Sequence, residues 1–268
     1  MSGTKRTMKE IEELLFENDK PTNELLTELA LDERKGVQTM LKRYKKQLEK
    51  EQELLHMHSE MTQFEQALYK QNHQWIAGVD EVGRGPLAGP VVAAAVILPQ
   101  DFQLLGLTDS KKLTKAKREE FDVIIKREAI AYSITMIDAT EIDQINIYEA
   151  TKKAMLESIL SLTTKPTYLL LDAMKLEIDI EQQSLVKGDS RSLSIAASSV
   201  IAKVARDHYM TKLHQEYPTY HFNNNMGYGT AGHLEAIKEH GIIHEHRKSF
   251  KPVIELAGKD RSSQTTLS

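Results

Sequence analysis

The sequence predicts an α/β fold, a mixed β-sheet flanked by helices, with a small helical N-terminal extension and a helical C-terminal part. Three observations predict it. Short apolar runs bounded by Gly and Pro come consecutively at residues 75–79 and 91–98. Beyond them, apolar runs alternate with amphipathic segments of helical period. Ahead of them, residues 33–70 are charged and helix-favouring.

Within residues 33–70, Val37, Met40, Leu41, Tyr44, Leu48 and Leu55 are spaced as one apolar helix face. Thr62-Gln63-Phe64-Glu65 reads as a capping box opening a last helix before the core. Residues 75–79 form a first strand that ends at Asp80 and Glu81, and residues 91–98 form a second. A helix follows at about 115–127, a strand at 132–137 and one helix at about 141–162. Pro166 precedes a strand at 167–171, ended by Asp172; a further strand lies at 184–187, and helices run from Ser192 onward. The organisation is thus a helical extension over 1–72, a core over 73–256 and a polar tail over 257–268 that is expected to fray.

A chain of 268 residues with 40% hydrophobic composition suffices for one substantial core plus an appendage. No apolar stretch approaches the roughly 20 residues of a membrane span. The N-terminus lacks a signal peptide's apolar core. With no cysteine, disulfides and thiolate metal sites are excluded, and a cytoplasmic location is expected. A net charge of -4 argues against a protein-wide basic field for nucleic acid, so local clusters decide. Three exist: Lys111-Lys112 with Lys115, Lys117 and Arg118; Lys203 with Arg206; and Arg247-Lys248 with Lys251. The run Lys42-Arg43-Tyr44-Lys45-Lys46 fits a solvated helix face better than a phosphate contact.

The most informative stretch is Asp80-Glu81-Val82-Gly83-Arg84-Gly85-Pro86-Leu87-Ala88-Gly89-Pro90. Strand neighbours point to opposite faces, so Asp80 and Glu81 can share a metal site only if the strand ends or bends between them. Gly83 and Gly85 allow close backbone approach to a sugar or phosphate, and Arg84 adds a permanent charge. A tight connection with an acidic rim is the bland alternative. Asp172 ends a strand as Asp80 does, and carboxylates converging from neighbouring strands suit Mg²⁺ or Mn²⁺. Asp189, after Lys187-Gly188, fits a helix N-cap as well as a fourth ligand. Four acids without a cysteine point to phosphoryl chemistry at two divalent ions roughly 3.5–4 Å apart.

Ser199, Lys203 and Arg206 share a helix face and fit a phosphate track, or else close helix packing with a charged edge. Tyr228, between Gly227 and Gly229, can stack on a sugar or base, or simply pack. His244-Glu245-His246 is read as an exposed loop or a phosphate contact, lacking the third ligand of a metal site.

The Asp80–Pro90 stretch, Asp109-Ser110-Lys111-Lys112-Leu113, Leu170-Leu171-Asp172, Lys187-Gly188-Asp189, residues 198–207 and Gly227-Tyr228-Gly229-Thr230 together closely resemble bacterial ribonuclease HII over about residues 75–253. The N-terminal extension resembles one found on a subset of these enzymes in low-GC Gram-positive bacteria. The resemblance implies a ribonuclease H-like fold, with the core as a type 2 ribonuclease H catalytic domain. It implies Mg²⁺- or Mn²⁺-dependent endonucleolytic cleavage of RNA in RNA/DNA hybrids and of single ribonucleotides in duplex DNA. The cut falls 5′ of the ribonucleotide and leaves a 3′-hydroxyl and a 5′-phosphate, serving ribonucleotide and RNA-primer removal.

Carried over to this chain, Asp80, Glu81, Asp172 and Asp189 form the catalytic acidic quartet, with Asp80 shared by both metals. Gly83-Arg84-Gly85 reads the 2′-hydroxyl and Tyr228 packs on the neighbouring deoxyribose. Asp109, Ser110, Lys111, Ser199 and Lys203 contact the substrate near its phosphates. The expected substrates are hybrid and ribonucleotide-containing duplexes; a monomer with no membrane association and no required protein partner is expected. Ala173-Met174 follows Asp172 where many members have a glycine, which bears on the substrate loop rather than on the ligands. Two alternatives remain: another ribonuclease H-like nuclease or transposase-type strand transferase, and a noncatalytic nucleic-acid-binding module, which the intact acids disfavour.

Overall fold

The computed structural model describes residues 6–17 and 20–256, so the polar tail lies outside the described residues. The chain forms two compact units, Met1–Met57 and His58–Ser268, with the division falling inside helix α3.

In the first unit, α1 (Met8–Phe16) and α2 (Asn23–Ala30) precede α3 (Lys35–Met61). Thr7 and Glu10 form a reciprocal capping box at the start of α1, and Thr22 caps α2. Ile11, Leu15 and Leu29 bury against Val37, Leu41 and Tyr44, with Met40 and Leu48 at the margin. Leu55, expected on the same face, is exposed, because the cluster ends at Leu48.

The second unit opens with α4 (Gln63–Tyr69). The expected capping box is absent: Thr62 keeps helical dihedrals as the chain runs on from α3, so its hydroxyl donates back to the Ser59 carbonyl. Glu65 is instead buried, accepting from the Ser192 and Ser194 hydroxyls, both at 2.6 Å.

Strands β1 (Ile76–Val82), β2 (Val91–Ile97), β3 (Ala131–Ile137), β4 (Tyr168–Asp172) and β5 (Gln182–Leu185) form one sheet in the order β3-β2-β1-β4-β5. β1, β2 and β3 pair antiparallel, whereas β4 is parallel to both β1 and β5. Helix α5 (Lys115–Glu128) connects β2 to β3. The predicted single helix over 141–162 is two, α6 (Ala139–Ile145) and α7 (Ile147–Leu160). Asn146, at φ 70°, breaks it and caps α7 by accepting from the Tyr148 and Glu149 amides.

One sheet face, with Ala77, Val79, Val91, Ala93 and Leu171, packs on Ala150, Ala154 and Met155 of α7. The other face, with Ile76 and Leu170, meets Ile195 of α8 (Leu193–Glu216). Residues 193–202 of α8 are buried without a break, not along one stripe as its spacing suggested. Small side chains permit this. Gly78 is the closest approach: a Cβ there would lie 2.0 Å from the Ser194 carbonyl carbon. After α8 come α9 (Phe222–Asn225), α10 (Ala231–His240) and a helical stretch at 251–256.

Candidate active site

Asp80 and Glu81 do not end β1. They remain paired with Ala94 and Ala93 of β2, while pairing with β4 stops one residue earlier, at Val79–Leu171. The acids thus occupy the stretch of β1 whose β4 side is open. The Glu81 amide, having no strand partner on that side, donates to Asp80 Oδ1 at 2.7 Å and fixes that carboxylate. Alternation puts Asp80 on the α8 face together with Gly78, and puts Asp172 there with Leu170.

Asp172 Oδ1 accepts from the Gly188 amide at 2.7 Å, which brings Asp189 alongside. Lys187, at φ 55°, turns the chain into the short Gly188–Ser190 helix that carries Asp189. Ser192, not Asp189, caps α8 by accepting from the Ile195 amide, so the cap reading of Asp189 is set aside. One oxygen from each of Asp80, Asp172 and Asp189 lies within 4.8 Å of the other two. Glu81 is not part of that trio and approaches Arg84 at 3.6 Å.

The charges are poorly compensated. Burial, with repulsion from Glu81 and Asp172, pushes Asp80 well above the usual carboxylate range. Burial raises Glu81 as well; Arg84 opposes this and Asp172 adds to it. Asp189 is raised by burial, then by Asp109 and Asp172. Burial would lower the Lys111 ammonium, but Asp109, Asp189, Asp80 and Asp172 together raise it. Glu81 Oε2 is buried and has no hydrogen-bond partner among the described residues. Crowded, oxygen-only acceptors with an orphaned member fit a hard divalent cation held by Asp80, Asp172 and Asp189, with Glu81 in reserve.

Beside the acids, the 83–90 loop crosses the sheet end. Gly83 adopts φ 93°, and a Cβ there would sit 2.3 Å from Arg206 Nε, so glycine is required on both counts. Arg84 is nearly half exposed. A Cβ on Gly85 would lie 3.5 Å from the ring of Tyr228, itself 48% exposed, so the loop and the tyrosine face each other. The Leu87 amide donates to the Gly227 carbonyl at 2.8 Å, tying the two segments together.

The remaining expected contacts divide. Ser110 and Ser199 are buried and share a hydrogen bond of 3.0 Å next to Asp80. Asp109 accepts from the Lys111 amide and stands close to Asp189. Lys203 pairs with Asp207 at 2.7 Å. Arg206 does not line a phosphate track, and Arg247 is no surface charge: both are buried on backbone carbonyls. His246 is likewise fully buried, against His233 at 3.1 Å, with only His244 of that tripeptide exposed. The sequence missed these residues because isolated Arg and His in polar segments carry no sign of burial.

A mixed sheet with carboxylates gathered at the open side of its central strand and at the end of the parallel neighbour defines a ribonuclease H-type nuclease. Comparison with known proteins narrows the class. The ribonuclease HII family model matches residues 77–253, and that of the ribonuclease HII N-terminal domain matches 7–69. Ribonuclease HII of Shouchella clausii is 60% identical over 86% of this chain and 89% of its own length. That of Halalkalibacterium halodurans is 54% identical over 96% and 98% respectively. The ribonuclease H2 structure from Pyrococcus horikoshii superimposes with a TM-score of 0.61 at 24% identity, covering 70% of this chain and 99% of that one. This chain belongs to the ribonuclease HII family.

Proposed function

We propose that this nuclease hydrolyses the RNA strand of RNA/DNA hybrids and single ribonucleotides embedded in duplex DNA, cutting on the 5′ side of the ribonucleotide to leave 3′-hydroxyl and 5′-phosphate ends. The observation that carries the reading is the adjacency of the acidic cluster to the Gly83-Arg84-Gly85 loop, joined by the Glu81–Arg84 contact at 3.6 Å. Only a 2′-hydroxyl distinguishes a ribonucleotide within a duplex, and glycine backbone plus a guanidinium can grip one. Phosphate contacts carry no such information.

Asp80, Asp172, Asp189 and Glu81 hold two divalent ions in this reading. When bound, such ions lower the pKa of an attacking water and offset charge on the leaving oxygen. The chain's own residues place the substrate. The loop selects the sugar, and Tyr228, facing Gly85, packs on the next deoxyribose. Lys111 and Lys203 offer ammonium groups to flanking phosphates, while Asp109, Ser110 and Ser199 brace the wall beneath. Residues 1–72 are an N-terminal extension to the catalytic core in this reading, its last helix α4 packing on that core through Glu65 and Leu68, and the chain acts as a cytoplasmic monomer.

The test compares an all-DNA duplex with the same duplex carrying one ribonucleotide, in Mg²⁺ and in Mn²⁺. Cleavage confined to the ribonucleotide strand, 5′ of the ribose, is expected; equal cutting of both duplexes refutes the reading.

A further inference from the structure

Two arginines, far apart in sequence and buried side by side, underlie the 83–90 loop. Arg247 is 0% and Arg206 1% exposed. Among the described residues neither forms an ion pair, and a buried guanidinium is tolerable only when hydrogen bonds compensate it. Backbone carbonyls take most of the donors here, four of five N–H groups on Arg247 and three of five on Arg206. Arg247 donates to Gly83 at 2.6 Å, Arg84 at 3.1 Å and Gly89 at 2.8 and 2.9 Å. Arg206 donates to Pro90 at 3.0 Å, Ala88 at 3.2 Å and Met226 at 2.9 Å.

The directions matter more than the number. In a trans peptide the C=O and the following N–H point oppositely, and no described peptide here is cis. With the Gly83 and Arg84 carbonyls drawn onto Arg247, the N–H groups of Arg84 and Gly85 must point away from it. Consecutive N–H groups turned outward make a small concavity for an oxygen acceptor. Lysine in place of Arg247 offers a point charge rather than a planar fork and cannot serve three carbonyls in the same geometry.

We propose that Arg247, backed by Arg206, is a positioning residue for ribose recognition: it fixes two loop carbonyls inward and thereby aims the Arg84 and Gly85 N–H groups at the 2′-hydroxyl oxygen. This rests on the reading of Gly83-Arg84-Gly85 as the ribose reader. Arg247 touches no reacting atom. Its effect is on selection, not on the acids, which hang from β1, β4 and the turn before α8.

The test is binding of the full-length protein, in Ca²⁺ to suppress cleavage, to a duplex with one ribonucleotide and to its all-DNA counterpart. Arg247→Lys is expected to lower the ratio of the two affinities about tenfold, the effect of one lost hydrogen bond, while metal-induced thermal stabilisation persists. An unchanged ratio in Arg247→Lys alongside a reduced one in Arg84→Ala overturns the positioning role alone. An unchanged ratio in both overturns the reader itself. Should Arg247→Lys fail to fold, hydrogen exchange on the native protein decides. Protection of the Arg84 and Gly85 amides by the ribonucleotide duplex, but not by DNA, supports the proposal; equal protection by both refutes it.

Discussion

Replacing Asp80 with Asn separates the stability of this protein from its chemistry. Asp80 is buried and shares a cluster with Asp172 and Asp189 in which one oxygen of each lies within 4.8 Å of the others. At that separation two unit charges repel by about 3.5 kcal/mol at an effective dielectric of about 20. Asn keeps the shape and an oxygen to accept the Glu81 amide, so the bond at 2.7 Å survives while the charge goes. Part of the repulsion is already relieved, because burial pushes Asp80 toward its protonated form. The metal-free variant should therefore be more stable than the native protein by about 1–3 kcal/mol, a rise in Tm of about 3–9 °C for a unit of this size. Metal reverses the order: Mg²⁺ or Mn²⁺ should raise the native Tm in proportion to occupancy and leave the variant nearly unmoved. Thermal unfolding at pH 7.5 in EDTA, and then across a metal titration, reads both effects, and cleavage should be lost throughout. A variant less stable than native in EDTA, or equally stabilised by metal, would refute the crowded-carboxylate account.

Ala173 sits at φ 48°, a left-handed conformation that costs a residue with a Cβ about 1–2 kcal/mol. Ala173→Gly should thus stabilise by about 0.5–1 kcal/mol after glycine's entropy is deducted, read as a higher urea midpoint; a lower midpoint contradicts it. Gly78→Ala drives a Cβ to 2.0 Å from the Ser194 backbone and should cost about 3 kcal/mol or prevent folding, whereas a native-like midpoint would show that α8 can shift. His246 accepts the Ile243 amide at Nδ1, so its Nε2 proton points at His233 Nε2, whose own Nδ1 proton goes to the Tyr228 carbonyl. A further proton breaks that chain, and burial, then His233, lowers His246 to about 4. Above pH 6.5 both folded and unfolded forms are neutral; below it the unfolded chain binds the proton first, so about 3 kcal/mol is lost down to pH 4. Urea unfolding of native protein and His246→Gln across that range should give a shallower pH slope for the variant, and equal slopes would refute the assignment.

Period-2 and period-3.6 patterning made the sheet and most helices legible, since burial on two faces demands the apolar runs at 91–97 and 168–171. What failed had local causes that patterning does not encode. Asn146 splits a helix through one left-handed residue, and Thr62 continues one because Glu65 has better partners 127 and 129 residues away. At the site, Asp80 and Asp172 stand out as candidates because acids following apolar runs are conspicuous, whereas Asp189, after Lys187-Gly188, reads equally as a helix cap. Arg206, Arg247 and His246 do not stand out. Their meaning lies in carbonyls and a ring supplied by other segments, and their residue types usually signal surface.

The position of α8 explains how such distant pieces keep register. Ser199 stands beside Asp80, and Arg206, seven positions on, lies beneath the 83–90 loop. Seven residues span about 10 Å of helix, roughly two turns, so both side chains project to the same side of one rod. The rod is pinned at its start by Glu65 and against β1 by the missing Cβ of Gly78. The separation between acidic cluster and loop is therefore set by a buried helix rather than by the glycine-rich loop itself. Glycines allow the loop its path, but the arginines choose it. If the loop reads ribose as proposed, its distance from the metal ligands is as fixed as the helix. Selection of the sugar then dictates which phosphate meets the carboxylates.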